Sequence, residues 1–444
     1  MQKENSILAH PQIGRLLIRL SVPATIGMIV MALYNVVDTI FVGRAVGTLG
    51  IAGLAIAFPM QMIILGFGTA NGVGSASIIS RSLGEGNLAK ANRVFGSAMF
   101  TVIFLSLTIT VFALIFIDPI LKIFGATSEI LPYAKEYLST ILLGTLFFVF
   151  AVTSNNIIRS EGRAKIAMGT MVVSALLNII FDPIFIFVFD LGIRGAAMAT
   201  VLSQIISALY LLYFYNSGKS TLHFRWNVIK FDLKLQMEIF KIGTASFAHQ
   251  ISTSFLIIIL NHTLAFYGDI YIAVYAIINR ILRFVFMPIF GISHGMQPIL
   301  GFNYGAKRYG YARRVIKFAI LHSTLIGVFG LVVLYLFSAQ IFGLFSDDAD
   351  LIEKGVYAMR LIILALPVVG LQVMGATAFQ ALGKALPALI LSLSRQILVL
   401  IPVLIVMNKF FALQGVWLTM PISDFISATL TAFFFIGLLK ILRD

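Results

Sequence analysis

Apolar runs of about twenty residues, broken by short polar segments, fill the chain from residue 13 almost to its end. An α-helix needs about that length to cross roughly 30 Å of hydrocarbon. The polar breaks predict helices near 13–43, 51–80, 92–117, 133–158, 163–190 and 194–216, then near 236–266, 270–300, 313–337, 355–382, 386–408 and 412–440. The longest polar connection runs from Ser217 to Leu235 and separates the two sets of six. The expected fold is an all-α integral membrane protein of twelve transmembrane helices. Residues 1–216 form one six-helix lobe, 217–235 a cytoplasmic linker and 236–444 the second lobe.

Composition narrows the solvent. Hydrophobic residues make up 59% of the 444, charged residues only 11%, and the mean hydropathy is +1.00. A soluble chain carries about 25% charged residues, so this one cannot cover itself with polar surface and a bilayer is its natural environment. The net charge of +14 does not point to nucleic acid, because long apolar runs separate the basic residues instead of one solvated face gathering them. With no cysteine, disulfides, thiolate metal sites and cysteine nucleophiles are excluded. The opening MQKENSILAHPQIGRLLIRLSVP lacks the pattern of a signal peptide and reads as a retained cytoplasmic end.

Orientation follows from Lys and Arg in the short loops. Of the 32 basic residues, 22 fall beside segments that a cytoplasmic N-terminus puts inside, 7 fall outside, and Arg280, Arg283 and Arg395 lie within spans. Both termini are then cytoplasmic. The two halves also match at an offset of about 221 residues: SLGEGNLAKANRV (82–94) lies over NYGAKRYGYARRV (303–315), and RSEGRAK over QALGKAL, with Gly162 over Gly383. Six spans per half make this a parallel repeat, related by a pseudo-twofold axis along the membrane normal, the arrangement of transporters with a central substrate cavity.

Three acids fall deep in the expected hydrocarbon: Asp38, Asp182 and Asp424. A carboxylate there is costly, so it is a functional candidate by default; the alternative is an acid hydrogen-bonded to a neighbouring helix. Asp38 lies about 8 Å and Asp182 about 10 Å below the outer ends of their helices. Asn178 is one turn from Asp182 on the same face, and Thr200 enters at a similar level. Two carboxylates, an amide and a hydroxyl thus converge in the first lobe. Such hard oxygen ligands suit Na+, and two neighbouring carboxylates in an apolar surround can share a proton, since like charges disfavour double ionisation. Tyr34, one turn from Asp38, belongs to the next layer. Asn35, Asn155, Asn156, Gln250, Arg280 and Met287 are the other expected cavity residues; interhelical hydrogen bonding is the alternative for Asn155 and Asn156. Pro23 interrupts the first helix and is the expected hinge, or else a static kink. Arg280, Arg283 and Arg395 can pair with Asp424 or bind an anionic group. No Walker, HExxH or nucleophile-elbow pattern is present, so neither an enzyme nor a cofactor is expected.

Several segments resemble the multidrug and toxic compound extrusion (MATE) family: LSVPATIGMIVMALYNVVDTIFVG in the first helix, NIIRSEGRAKIA after the fourth, LNIIFDPIFIF in the fifth, GIRGAAMAT in the sixth, PILGFNYGAKR after the eighth and GVWLTMPISD entering the twelfth. The likeness extends over essentially the whole chain and leans toward the DinF-like and MepA-like branches. It implies an efflux antiporter exchanging organic cations for H+ or Na+, with Asp38, Asn178, Asp182 and Thr200 matching the family's first-lobe cation site. His249 and Gln250 stand where the sodium-coupled NorM-like branch would carry an acid. The expected setting is the inner or plasma membrane of a prokaryote, as a monomer, with a lipid or lipid-linked glycan flippase as the rival function.

Overall fold

The computed structural model describes residues 7–223, 229 and 231–442. The first residues of the N-terminal segment and part of the 217–235 linker therefore lie outside the described residues. Among those described, every regular element is helical. After a short 3-10 turn, Ile7–Ala9, the order is α1 Ile13–Val46, α2 Thr48–Glu85, α3 Leu88–Ile115, α4 Ile117–Ile123, α5 Leu131–Leu143, α6 Thr145–Ser160, α7 Ala164–Pro183 and α8 Gly192–Asn216. The second half follows as α9 Leu233–Ala265, α10 Asp269–Gly305, α11 Tyr309–Leu336, α12 Ser338–Gly343, α13 Ala349–Ile362, α14 Leu366–Ala381, α15 Ala385–Leu393 and α16 Leu400–Ile441.

Among the described residues, twelve membrane crossings emerge once the breaks are read physically. α5 and α6 form one span bent by 57° at Gly144, and α13 with α14 forms another across a 3-10 turn at Ile363–Ala365. The apolar stretch Ala385–Lys440 covers 56 residues, about 84 Å as helix and far too long for one crossing. It divides at Ala412, whose φ of 47° and ψ of −134° leave the helical region. The division at Ala412 falls at the polar break read from the sequence, whereas the bends at Gly144 and Ile363–Ala365 lie inside the runs 133–158 and 355–382 expected as single helices.

The described residues group into two compact units, and the boundaries fall inside helices, between Thr25 and Ile26 in α1 and between Gly243 and Thr244 in α9. This partition is not the division at 1–216 and 236–444. The opening of α1 groups with the later half of the chain, and the opening of α9 with the earlier half. Close approach explains both. A Cβ on Gly295 or Gly291 of α10 would collide with the Ser21 or Thr25 side chain of α1, and a Cβ on Gly74 of α2 would collide with the Ile239 carbonyl of α9. Gly74 and Gly295 are 221 positions apart, so the repeat places its small residues at equivalent helix crossings.

In the Ile26–Gly243 unit, α2 is the central element. Its GFGTANGVGSAS run is almost wholly buried, and its glycines let α6 approach closely: Gly68 sits against Val152 and Val149, Gly72 against Asn156 and Thr153. The Thr153 hydroxyl donates to the Gly68 carbonyl at 3.2 Å. In a bilayer, where lipid is as apolar as leucine, such small-residue packing and interhelical hydrogen bonds hold helices together. The other unit is built around an apolar cluster including Leu260, Tyr275, Ile278, Phe342, Met359, Ile362, Leu404 and Trp417.

The repeat also reaches the loops. α2 ends with Gly86 in the left-handed region (φ 79°), where the Asn87 and Gly86 N–H groups donate back to the Ser82 and Leu83 carbonyls. α10 ends with the same pair of bonds, Arg308 to Asn303 and Lys307 to Tyr304, but the left-handed residue there is Lys307 (φ 59°). Gly162 and Gly383 close α6 and α14 in the same fashion.

Candidate cation-coupling site

Asp38 on α1 and Asp182 on α7 are both buried, at 7% and 0% exposure, and their carboxyl groups lie within electrostatic reach of each other. Local structure delivers Asp182. α7 runs through Asp182 and Pro183 into a single wide turn at Ile184–Val188, in which the Phe189 N–H reaches the Ile184 carbonyl at 2.9 Å. Pro183 has no N–H to continue the α-helical ladder, and a π turn of this kind is a common device for re-aiming side chains at functional sites. Gly195 of α8 lies hard against the Phe185 carbonyl, which buttresses the turn.

Asn178 links the acids to α8. Its Nδ2 donates to Asp182 Oδ1 and to Thr200 Oγ1, both at 3.2 Å. Three buried oxygens of the group, Asp38 Oδ1, Asp182 Oδ2 and Asn178 Oδ1, have no hydrogen-bond partner among the described residues. Unpartnered oxygens in a dry site are costly, and they form the hard-ligand set that a proton or Na+ would satisfy. No group of three or more His, Cys, Asp or Glu side chains is placed to hold a metal ion among the described residues.

The remaining expected residues divide. Tyr34 stands within electrostatic reach of both carboxyls, as does Tyr137 of α5, whose hydroxyl accepts from Gln61 Nε2 of α2 at 3.3 Å. Tyr137 and Gln61 were not anticipated: in the sequence they are ordinary members of two apolar helices, and only the fold turns them toward the acids. Asn35 is exposed and donates to the Met31 carbonyl at 2.7 Å. Asn155 accepts from Thr170 Oγ1 of α7 at 2.7 Å. Asn156 donates to the Val152 carbonyl and accepts from Arg159, both within α6, so only the Asn155 bond joins two helices. Pro23 is buried within a continuous α1, two residues before the unit boundary. Gln250, Arg280 and Met287 belong to the other unit, and of these Arg280 is exposed.

That other unit carries its own half-buried ion pair. Arg395 Nε donates to Asp424 Oδ1 at 2.8 Å, and its guanidinium lies 5.0 Å from the Phe286 ring centre. Gln372 Nε2 donates to the Asp424 carbonyl. Of the partners considered for Asp424, Arg395 is the one the structure supplies.

The long apolar helices among the described residues define a multi-pass membrane protein, and a buried acid pair inside such a chain is a candidate ion site. Comparison with known proteins makes the class specific. The MatE family model matches twice, over residues 23–184 and 245–406, one match per half. The multidrug export protein MepA of Staphylococcus aureus (strain MSSA476) is 30% identical over 420 residues, covering 95% of this chain and 92% of that protein. Its counterpart in Staphylococcus saprophyticus is 27% identical. Among solved structures, the MATE multidrug transporter DinF-BH is 43% identical, with a TM-score of 0.89 over 96% of this chain and 95% of that one. An outward-facing multidrug resistance MATE transporter is 27% identical, with a TM-score of 0.92 over 98% of both chains. The chain belongs to the MATE family of multidrug efflux transporters.

Proposed function

We propose that the protein is a secondary antiporter that exports lipophilic organic cations from the cytoplasm in exchange for H+ or Na+ by alternating access. The observation that carries this reading is the burial of the neighbouring Asp38 and Asp182 carboxyls, with Asn178 bonded to both Asp182 and Thr200 in an oxygen-rich cluster. Two neighbouring carboxyl groups out of water disfavour double ionisation. A proton or Na+ bound there removes the repulsion; its departure leaves negative charge that an organic cation can balance. Binding of ion and drug is thus mutually exclusive, which is what antiport requires. For one-to-one exchange of monovalent cations no net charge moves. One pH unit, about 1.4 kcal/mol, then sustains roughly a tenfold drug gradient.

Bending of α1 near Pro23, where the proline removes a backbone hydrogen bond, is the conformational element such a cycle would use. In this reading the protein acts as a monomer in the plasma membrane of a prokaryote, with both termini and the 217–235 linker in the cytoplasm. The chemistry needs no cofactor besides the coupling ion. A flippase for lipids or lipid-linked glycans draws support from Arg280, Arg283 and Arg395, but Arg395 is already engaged with Asp424.

The test is drug efflux from whole cells expressing Asp38→Asn or Asp182→Asn. Each is expected to lower export at least tenfold, since the amide neither takes up nor releases a proton. Undiminished efflux by both variants contradicts the coupling role.

A further inference from the structure

Arg280 and Arg283 sit on one open stripe of α10, where Ala273, Ala276, Arg280, Arg283 and Phe284 are exposed and Met287 half-buried. The opposite face, with Val274, Tyr275, Ile278 and Leu282, is packed into the apolar cluster of its unit. Counting from Asp269 at the start of α10, Arg280 lies about 16 Å and Arg283 about 21 Å along the helix. Both are therefore deep in the hydrocarbon layer and beyond the range over which a side chain near a helix end snorkels to the interface. Neither makes an ion pair with any described residue. The phenol of Tyr275 is the group in electrostatic contact with Arg283, and a phenol does not neutralise a guanidinium at pH 7. Arg395, the third arginine of these spans, has its carboxylate in Asp424.

Two charged arginines one turn apart cannot face lipid tails without compensation. The open stripe must instead face water, and its charge calls for an anionic partner that the described chain does not supply. The guanidinium fork recognises carboxylate, sulfonate and phosphate bidentately, while Phe284 and Met287 offer flat and pliable apolar surface beside it. We propose that the Arg280–Arg283 face of α10 binds the anionic headgroup of amphiphilic substrates, so that the exporter carries carboxylate-, sulfonate- or phosphate-bearing amphiphiles as well as organic cations. The proposal rests on the exporter reading for transport, but binding to this face does not depend on it.

The experiment uses the full chain reconstituted in liposomes, with two dyes that share a xanthene body and differ in head charge: cationic rhodamine 6G and sulfonated sulforhodamine B. A parallel arm measures translocation of NBD-labelled phosphatidylglycerol by dithionite quenching, since the same phosphate chemistry could come from a lipid headgroup. Wild type is expected to bind and transport sulforhodamine B. R280Q/R283Q is expected to lower the transport of sulforhodamine B relative to rhodamine 6G at least tenfold, the loss of about one good ionic contact. R280K/R283K, which keeps the charge but not the fork, is expected to fall between them. Arginine-dependent translocation of phosphatidylglycerol without sulforhodamine B transport supports the site and assigns it to a lipid headgroup. Binding of sulforhodamine B to detergent-purified wild type that weakens in the single variants Arg280→Gln and Arg283→Gln supports it even if the double variant fails to fold. The proposal is overturned if wild type binds and moves neither anion, or if wild type and arginine variants handle both anions equally. Failure of the exporter reading looks different: wild type would then show no gradient-driven movement of rhodamine 6G.

Discussion

Asp38 and Asp182 were legible as candidates from depth alone, because a carboxylate has few reasons to lie that far inside an apolar helix. Asn178 and Thr200 followed from helical spacing. Tyr137 and Gln61 did not, since nothing in their neighbourhoods departs from an ordinary span. Glu161 was missed for the opposite reason: placed in a loop, it reads as a solvated acid, yet its carboxyl is buried. Ser220 Oγ donates to both of its oxygens at 2.8 and 3.0 Å, the Thr221 N–H donates at 3.0 Å, and Arg163 stands 4.0 Å away. Burial outweighs these donors and pushes the carboxyl up to about 7. A group whose folded value is raised contributes stability that is fully present below its unfolded value, near 4.5, and is lost as pH rises through about 7. Glu161→Gln removes that dependence, so the variant's thermal midpoint in detergent is expected to gain on wild type between pH 5 and pH 8. A difference that stays constant across this range contradicts the burial argument.

At the scale of elements, hydrophobic run length placed every span, and the twofold repeat was readable from matched glycines and basic residues. The exchange of helix openings was not readable, because Gly74 and Gly295 look like any other small residues until the partner backbone is known. Their importance is testable. Gly74→Ala drives a Cβ into the Ile239 carbonyl and is expected to cost about 1–3 kcal/mol. Gly169→Ala on α7, where nothing lies within 4 Å, should leave stability unchanged or raise it by up to about 1 kcal/mol. Equal effects from the two changes would contradict the crossing's role. The repeat also exposes a local misfit: Lys307 holds the left-handed position that Gly86 holds in the first half. Lys307→Gly is expected to stabilise by about 0.5–1 kcal/mol in a denaturant titration; a loss of stability would show that the lysine side chain compensates for its backbone strain.

For the whole molecule, composition and hydropathy sufficed for the membrane setting, and the double match of one family model to the two halves gives the repeat an independent footing. What the sequence could not show is how unequally the halves use their charge. The Ile26–Gly243 unit gathers carboxyl and amide oxygens at its acid pair, whereas the other unit neutralises its acid with Arg395 and leaves Arg280 and Arg283 open. In the antiport reading proposed above, ion coupling through the acid pair would underlie the whole transport cycle, and reconstitution probes it without the complications of a living cell. Liposomes carrying wild type or Asp38→Asn/Asp182→Asn protein would be loaded with rhodamine 6G and given, separately, an inwardly directed proton or sodium gradient. At least one gradient is expected to accelerate dye exit through wild type, and neither to do so through the double variant. Equal acceleration in both proteins would contradict coupling at these carboxyls.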